Sequence, residues 1–268
     1  MKFNRTDCQN NFTLDYANNP SGLGATRSNL LRILRSIDLV GWNTHEESGR
    51  LDRKAFTRFA SGSVAVFSKR TYVEAERSAV SVLIDCSGSM DNDGRIRTAQ
   101  TVAIQLAKIL DKANVEYAVT GFCGNEWRDG GDASGASKKI NIKIHAPRFI
   151  PFKKWGESLS KASAKMGAIG WTASSSTPDY GALSLVIDEM SQRQEPRKII
   201  FLLTDADGYN IPQMKYLQQL ADKQGILIVA IGIGYTQVKQ CFTNAENVTS
   251  VQDLASASLN KMLKTLTK

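Results

Sequence analysis

The chain is poor in the residues that build transition-metal sites. It has two histidines, His45 and His145, and four cysteines, Cys8, Cys86, Cys123 and Cys241, with no C-x-x-C pair. No zinc ligand set at usable spacing can be drawn from them. Four scattered thiols in 268 residues also fall short of a secreted disulfide scaffold, which favours a reducing compartment. The phosphate-binding pattern G-x-x-x-x-G-K-[ST] does not occur, so the chain is not itself a P-loop ATPase. No Ser-His-Asp or Cys-His set assembles with any specificity, and no residue is assigned a catalytic role. The N-terminus, MKFNRTDCQNNFTLDY, lacks an apolar signal core, and no run is long enough to span a bilayer. A cytoplasmic protein without a membrane partner is the expectation.

What is present is ordinary globular material. Hydrophobic residues make up 42% and charged residues 22%, enough to bury a core without covalent staples. The formal net charge of +8 suits an acidic partner surface or weak attraction to nucleic acid, and decides neither.

From Ala79 onward short apolar runs alternate with helical patterns. SAVSVLID (78–85), VEYAVTGF (115–122), KIIFLLTD (198–205), ILIVAIGIG (226–234) and NVTSV (247–251) read as strands. RIRTAQTVAIQLAKILDKA (95–113), TPDYGALSLVIDEMSQR (177–193), IPQMKYLQQLADKQ (211–224) and VQDLASASLNKMLKTL at the C-terminus read as helices. Strands that are apolar on both faces and alternate with helices predict an α/β fold: three layers, doubly wound, around a mostly parallel sheet. Its expected strand order is 3-2-1-4-5-6. Residues 1–78 are expected to form an N-terminal extension, with one amphipathic helix over 26–40 and a basic-aromatic lead-in. The α/β domain is expected over 79–268, with an insertion at about 123–170 whose INIKIHAPRFIPFKKW supplies an edge strand.

The chemistry concentrates in VSVLIDCSGSMDNDGR. A strand ends at Asp85, and Ser87 and Ser89 follow at alternate positions before a helix begins near Gly94. Ligands bind at the carboxyl ends of strands in open parallel sheets. One carboxylate and two hydroxyls form a hard, oxygen-only set that leaves room for water, as Mg²⁺ prefers. Ser-Gly-Ser loops also cap helices, and Ser89 or Asp91 as an N-cap competes with that reading. Thr177, at the entrance of a helix, and Asp205, at the end of IIFLLTD, fall where a doubly wound sheet places loops beside the Asp85 loop.

DxSGSM, then T-P-x-x-x-A-L, then a hydrophobic run ending LLTD resembles the von Willebrand factor A (VWA) family with its metal-ion-dependent adhesion site. The resemblance covers about Ala79 to the C-terminus. It implies that Asp85, Ser87, Ser89, Thr177 and Asp205 are the metal-site residues for Mg²⁺, Mn²⁺ or Ca²⁺. The serines and the threonine would be direct ligands, the aspartates direct or water-bridged, and an acidic side chain of a protein client would fill the open position. IDCSGSM, GFCGNEW, TPDYGALSLVIDEMSQRQEPRKIIFLLTDADG and VAIGIG are similar to the C-terminal domain of the CobT subunit of cobaltochelatase. They are also similar to NorD-like proteins that work with MoxR-type AAA+ ATPases. The implied function is a non-enzymatic adaptor that presents a client to a MoxR- or CobS-like ATPase. The short chain, without a long acidic linker, suggests a free-standing bacterial or bacteriophage protein. Ala206 departs from the glycine usual after the strand-end aspartate.

Three rival readings arise from the residues. TDADGYN (204–210) resembles the D-x-D-G loop of haloacid dehalogenase-type phosphatases, with Asp205 as nucleophile and Asp207 as acid/base. That loop usually opens its domain, whereas here most of the sheet precedes it, and Asp207 reads better as a turn residue. Asp91, Asp93 and Gly94 hint at an EF-hand loop, but its twelfth position is Gln100 rather than glutamate. Lys138, Lys139, Lys143, Arg148, Lys153, Lys154, Lys161 and Lys165 interleave with Phe149, Phe152 and Trp155, a pattern compatible with RNA binding by a Ro-like VWA protein. A docking surface beside the metal site, or a solvated face anchored by its aromatics, accounts for the same run. Cys86 alternates away from the serines and is expected to be a packed thiol.

Overall fold

In a computed structural model the described residues are 4–17, 24, 28, 41–51, 66–71, 78–124, 147–234, 237–249 and 253. Apart from Ser28 and Asp253, the expected helices over 26–40 and at the C-terminus lie outside them, as do Lys138, Lys139, Lys143 and His145. Two units separate: Met1–Leu34 with Arg77–Lys268, and Arg35–Glu76.

Within the smaller unit, β1 (Gly41–Glu46), β2 (Arg50–Leu51) and β3 (Phe67–Thr71) form an antiparallel sheet in the order β1-β3-β2. His45 lies in β1.

The larger unit is built on β4 (Ser78–Asp85), β5 (Glu116–Gly124), β6 (Pro147–Lys153), β7 (Arg197–Thr204), β8 (Ile226–Ile233) and β9 (Ala245–Val248). Their order is β6-β5-β4-β7-β8-β9. Counted from β4, this is the expected 3-2-1-4-5-6. All neighbours are parallel except β6, which runs antiparallel to β5 at the edge.

The pleat splits β4 between two cores. Val80, Val82 and Ile84 face one cluster with Ile104, Leu110, Val119 and Phe201. Ala79 and Leu83 face the other, with Val186, Ile187, Leu202 and Leu217. Because both faces are covered, every residue of β4 is buried, which is why it reads as a mainly apolar run rather than an alternating one, with Ser81 buried inside it. Helix α2 (Arg95–Lys112) covers the first face with α1 (Arg5–Ala17) and α3 (Leu159–Met166). Helices α4 (Asp179–Ser191), α5 (Ile211–Lys223) and α6 (Val238–Cys241) cover the second. The result is the three-layer arrangement.

Gly121 marks where β5 meets its neighbours. A Cβ there would lie 2.7 Å from both Cys86 Sγ and a Phe152 ring carbon. The absence of that one carbon lets the Cys86 thiol and the Phe152 ring share a space.

Helix α1 has only a thin apolar stripe: Cys8, Phe12 and Tyr16, at i, i+4 and i+8. Cys8 is buried, and Phe12 and Tyr16 stack with ring centroids 5.5 Å apart. Asp15 receives hydrogen bonds from Gln100 Nε2 (2.6 Å) and Thr101 Oγ1 (3.0 Å) of α2. The Cys8 carbonyl sits over Gly167, where a Cβ would come within 1.8 Å of it. Gly167→Ala is therefore expected to lower stability by about 2–3 kcal/mol through overpacking. The same substitution should be nearly neutral in a chain lacking residues 1–17, a difference that denaturant unfolding of the four proteins measures.

Candidate metal centre

The carboxyl ends of β4 and β7 place two carboxylates side by side, and both Asp85 and Asp205 are completely buried. Asp85 Oδ1 accepts from the Ser87 N–H at 2.9 Å. Its other oxygen, Oδ2, accepts from Thr204 Oγ1 at 2.9 Å. The direction of that second bond is forced. Thr204 Oγ1 already accepts from the Ala206 N–H (2.9 Å) and the Tyr209 hydroxyl (2.8 Å), and a hydroxyl has two acceptor sites and one proton. Burial raises the Tyr209 phenol well above its usual range, with the Asp85 charge adding to it, so it stays a donor.

Ser87 is buried and Ser89 half-buried, and their hydroxyl oxygens lie 3.1 Å apart. The loop beyond Asp85 is zippered to the segment leading into α4. The Gly88 N–H donates to the Ser175 carbonyl (2.9 Å), the Ser174 N–H to the Cys86 carbonyl (2.9 Å) and the Gly124 N–H to the Ser176 carbonyl (2.7 Å). Thr177, half-buried, follows this zipper immediately, ahead of the buried Pro178. The zipper needs Ser175 at φ 67 and a bare Gly88, whose added Cβ would sit 3.3 Å from the Ser175 carbonyl.

Asp205 completes the group. Its Oδ1 accepts from the Asp207 N–H at 3.1 Å, and its Oδ2 pairs with Arg95 Nη1 at 3.1 Å. Ala206, where glycine was expected, holds φ 52 and is buried. Relief of left-handed strain by glycine, about 1–2 kcal/mol, is offset only in part by loss of a buried methyl, about 0.8 kcal/mol.

The donor chemistry suits a hard cation. When both are ionised, the two buried carboxylates carry two negative charges, and Arg95 offsets one. Burial pushes the Asp85 carboxyl up to about 7, against the Ser87 hydrogen bonds that lower it, and the nearby Asp205 raises it further. A divalent ion would supply the positive charge that this pair lacks. Among the described residues no three His, Cys, Asp or Glu side chains cluster as a metal site, so hydroxyls must complete any ligand set here.

The rival motifs resolve differently. Gln100 points away from Asp91 and Asp93, with its side chain held by Asp15 and the Gly170 N–H. That removes the twelfth position of an EF-hand. Both Asp205 oxygens are engaged, while Asp207 is exposed. Cys86 is the expected packed thiol: burial pushes it up to about 12, and Thr172 Oγ1 donates to its sulfur at 3.3 Å. In the basic run, Lys153 is buried, donating to the Tyr117 carbonyl at 2.7 Å and lying 3.8 Å from the Tyr117 ring centroid. Phe152 is core. Trp155 stacks under Arg193 at 3.8 Å and donates to Glu189 at 2.6 Å. These aromatics anchor the edge strand, and Lys165 is spent on Glu157 at 2.8 Å.

Thr204, Tyr209 and Arg95 were not singled out from sequence. Thr204 adjoins Asp205, but its partner Asp85 lies 119 residues away. Arg95 opens α2, a helix with no acidic residue in its first turn. A cation at a helix N-terminus opposes the helix dipole, and that mismatch was the available signal.

Thr204→Val should cost about 3 kcal/mol or more, since three buried groups lose their partner at roughly 1–3 kcal/mol each, whereas Thr204→Ser should cost under about 1 kcal/mol. Chemical denaturation of both variants checks this. A second expectation concerns pH. The raised Asp85 carboxyl contributes stability that is fully present below its ordinary 3.8 and is lost as pH climbs through about 7. Cation-free Asp85→Asn should lack that decline, whatever the loss of one acceptor oxygen does to its stability at every pH. Melting curves across pH in chelator would contradict this if the two proteins ran parallel.

The comparisons agree with this architecture. The sheet and helices are similar in fold to the pilus adhesin SpaC of Lactobacillus rhamnosus GG (17% identity, TM-score 0.51, 73% of this chain and 30% of that one). They are similar also to the conserved hypothetical protein BatB of Bacteroides thetaiotaomicron (12%, 0.51, 70% and 98%). A third is the minor pilin PilB of Streptococcus sanguinis (13%, 0.51, 75% and 64%). The chain thus spans under a third of SpaC and under two thirds of PilB. Residues 66–268 match the family model described as the cobalamin biosynthesis protein CobT VWA domain, and the chain belongs to that family.

Proposed function

We propose that Asp85, Ser87, Ser89, Thr177 and Asp205 hold one divalent cation, with Mg²⁺ the best fit, and that the filled site docks an acidic side chain of a protein partner. The observation that carries this reading is the burial of two carboxylates beside paired serine hydroxyls, with a single arginine to balance them. Oxygen-only donors with open positions suit a hard ion that retains water. The bound ion would supply a Lewis-acidic coordination position; the chain's own residues fix the donors and exclude solvent from the aspartates.

Family membership supports an interaction module, and the adaptor role with a CobS- or MoxR-type AAA+ ATPase extends that reading to this chain. We infer that it makes and breaks no bond in its client. Asp205, the would-be phosphatase nucleophile, is turned onto Arg95 and the Asp207 N–H. No helix among the described residues is long and apolar enough to cross a membrane, so nothing there favours a membrane partner.

One bound ion at a hundredfold excess over its dissociation constant adds about 2.7 kcal/mol, equivalent to roughly 5–10 °C in melting temperature for a chain of this size. Mg²⁺ should produce that rise in the wild type and not in Asp85→Ala. A purified CobS- or MoxR-type ATPase from the same genome should be retained by the immobilised chain in Mg²⁺ and lost in EDTA or with Asp85→Ala. Retention indifferent to both treatments would sink the metal-dependent docking model. Salt-sensitive RNA binding that survives both would instead favour the nucleic-acid reading.

A further inference from the structure

Arg95 is a cation in an unfavourable place with a specific reason to be there. It is the first residue of α2, where the exposed N–H groups of the helix already make the potential positive. Its side chain is only 19% exposed and reaches the fully buried Asp205 at 3.1 Å, across 110 residues of sequence. The stem passes Gly234, just past the end of β8, where an added Cβ would stand 3.5 Å from Arg95 Nε. One further contact, to Asp93 at 3.6 Å, is to a carboxylate 87% exposed and screened by water. The guanidinium is thus threaded between strand ends toward one carboxylate of the metal centre.

We propose that Arg95 is a built-in counter-charge of that centre: it neutralises Asp205 in the cation-free protein, and thereby weakens divalent-cation binding below what the two buried carboxylates alone would give. This rests on the metal-centre reading above and adds a control on its occupancy. Arg95 is a positioning residue, acting through Asp205. Two like charges buried side by side destabilise each other, and a nearby fixed positive charge relieves this whether or not an ion is bound. The same charge repels an incoming cation. A protein so built keeps its docking site folded without metal and fills it only when the free ion is abundant.

The test is Mg²⁺ titration calorimetry on the full-length wild type, Arg95→Gln and Arg95→Lys, with circular dichroism to confirm folding. Arg95→Gln should bind Mg²⁺ about tenfold more tightly or better, the sign expected from removing one positive charge beside a divalent ion. Arg95→Lys, which keeps the charge, should stay within about threefold of the wild type. In chelator Arg95→Gln should melt below the wild type, and saturating Mg²⁺ should close that gap. A merely structural brace would leave the folded glutamine variant with equal or weaker affinity, and that result overturns the inference alone. If neither wild type nor Arg95→Gln binds Mg²⁺, the metal-centre reading falls with it; binding by the variant but not the wild type supports the inference. Should Arg95→Gln fail to fold, the Arg95 side-chain resonances of the wild type decide by NMR. They should shift along the Mg²⁺ titration as the Asp205 contact loosens, and invariance through saturation overturns the proposal.

Discussion

Everything at the functional edge depends on the Thr204 hydroxyl, whose one proton must go to Asp85 because both of its acceptor sites are taken. That bond joins the ends of two adjacent parallel strands at the point where their ladder finishes. It fixes which face of the Asp85 carboxylate is spoken for. It also ties the Asp205 turn to the Asp85 loop, since Ala206 and Tyr209 donate to the same oxygen. The serine zipper from the α4 approach then closes the third side. Three loops distant in sequence become one rigid rim through hydrogen bonds that a buried, water-poor environment makes costly to break.

The parallel sheet sets these loops side by side; it does not by itself make them compatible. Local departures do that work: Ser175 and Ala206 in left-handed conformations, and glycines at 88 and 121 where a side chain would strike a neighbour. Backbone strain gathered at a site, and held by surrounding packing, is a common mark of preorganisation. Here it is held by the zipper on one side and by the second core cluster, which includes Ala206 and Tyr209, on the other.

Much of this was legible in the sequence. The runs ending at Asp85 and Thr204 stand out because strands covered on both faces are apolar at most successive positions, with Ser81 the one polar residue inside the first. The mostly parallel sheet covered on both faces followed from the alternation of strands and helices. The elements that escaped are those whose signal lies in a partner. Helix α1 turns Cys8, Phe12 and Tyr16 inward while Leu14 stays exposed, and its docking relies on Asp15 meeting Gln100 and Thr101 some 85 residues later. Helix α3, LSKASAKM, is short and lay within the expected insertion, where Lys161 and Lys165 read as part of a basic run. Lys153 appeared as surface charge, yet its ammonium is tucked against the Tyr117 carbonyl and ring. Arg95 and Thr204 looked like flanking residues because spacing along the chain does not reveal a contact across a sheet.

The docking of α1 on Gly167 has an architectural consequence. The α/β unit is discontinuous: its first stretch, Met1–Leu34, is separated from the rest by Arg35–Glu76. That intervening stretch is topologically an excursion, leaving and returning to one unit. The entropy of closing such an excursion grows only with the logarithm of its length. Its size and sequence can therefore vary widely at small thermodynamic cost to the larger unit. The six-stranded sheet that carries the Asp85 rim begins only at Ser78, so all of its strands come from the part of the chain that follows the excursion.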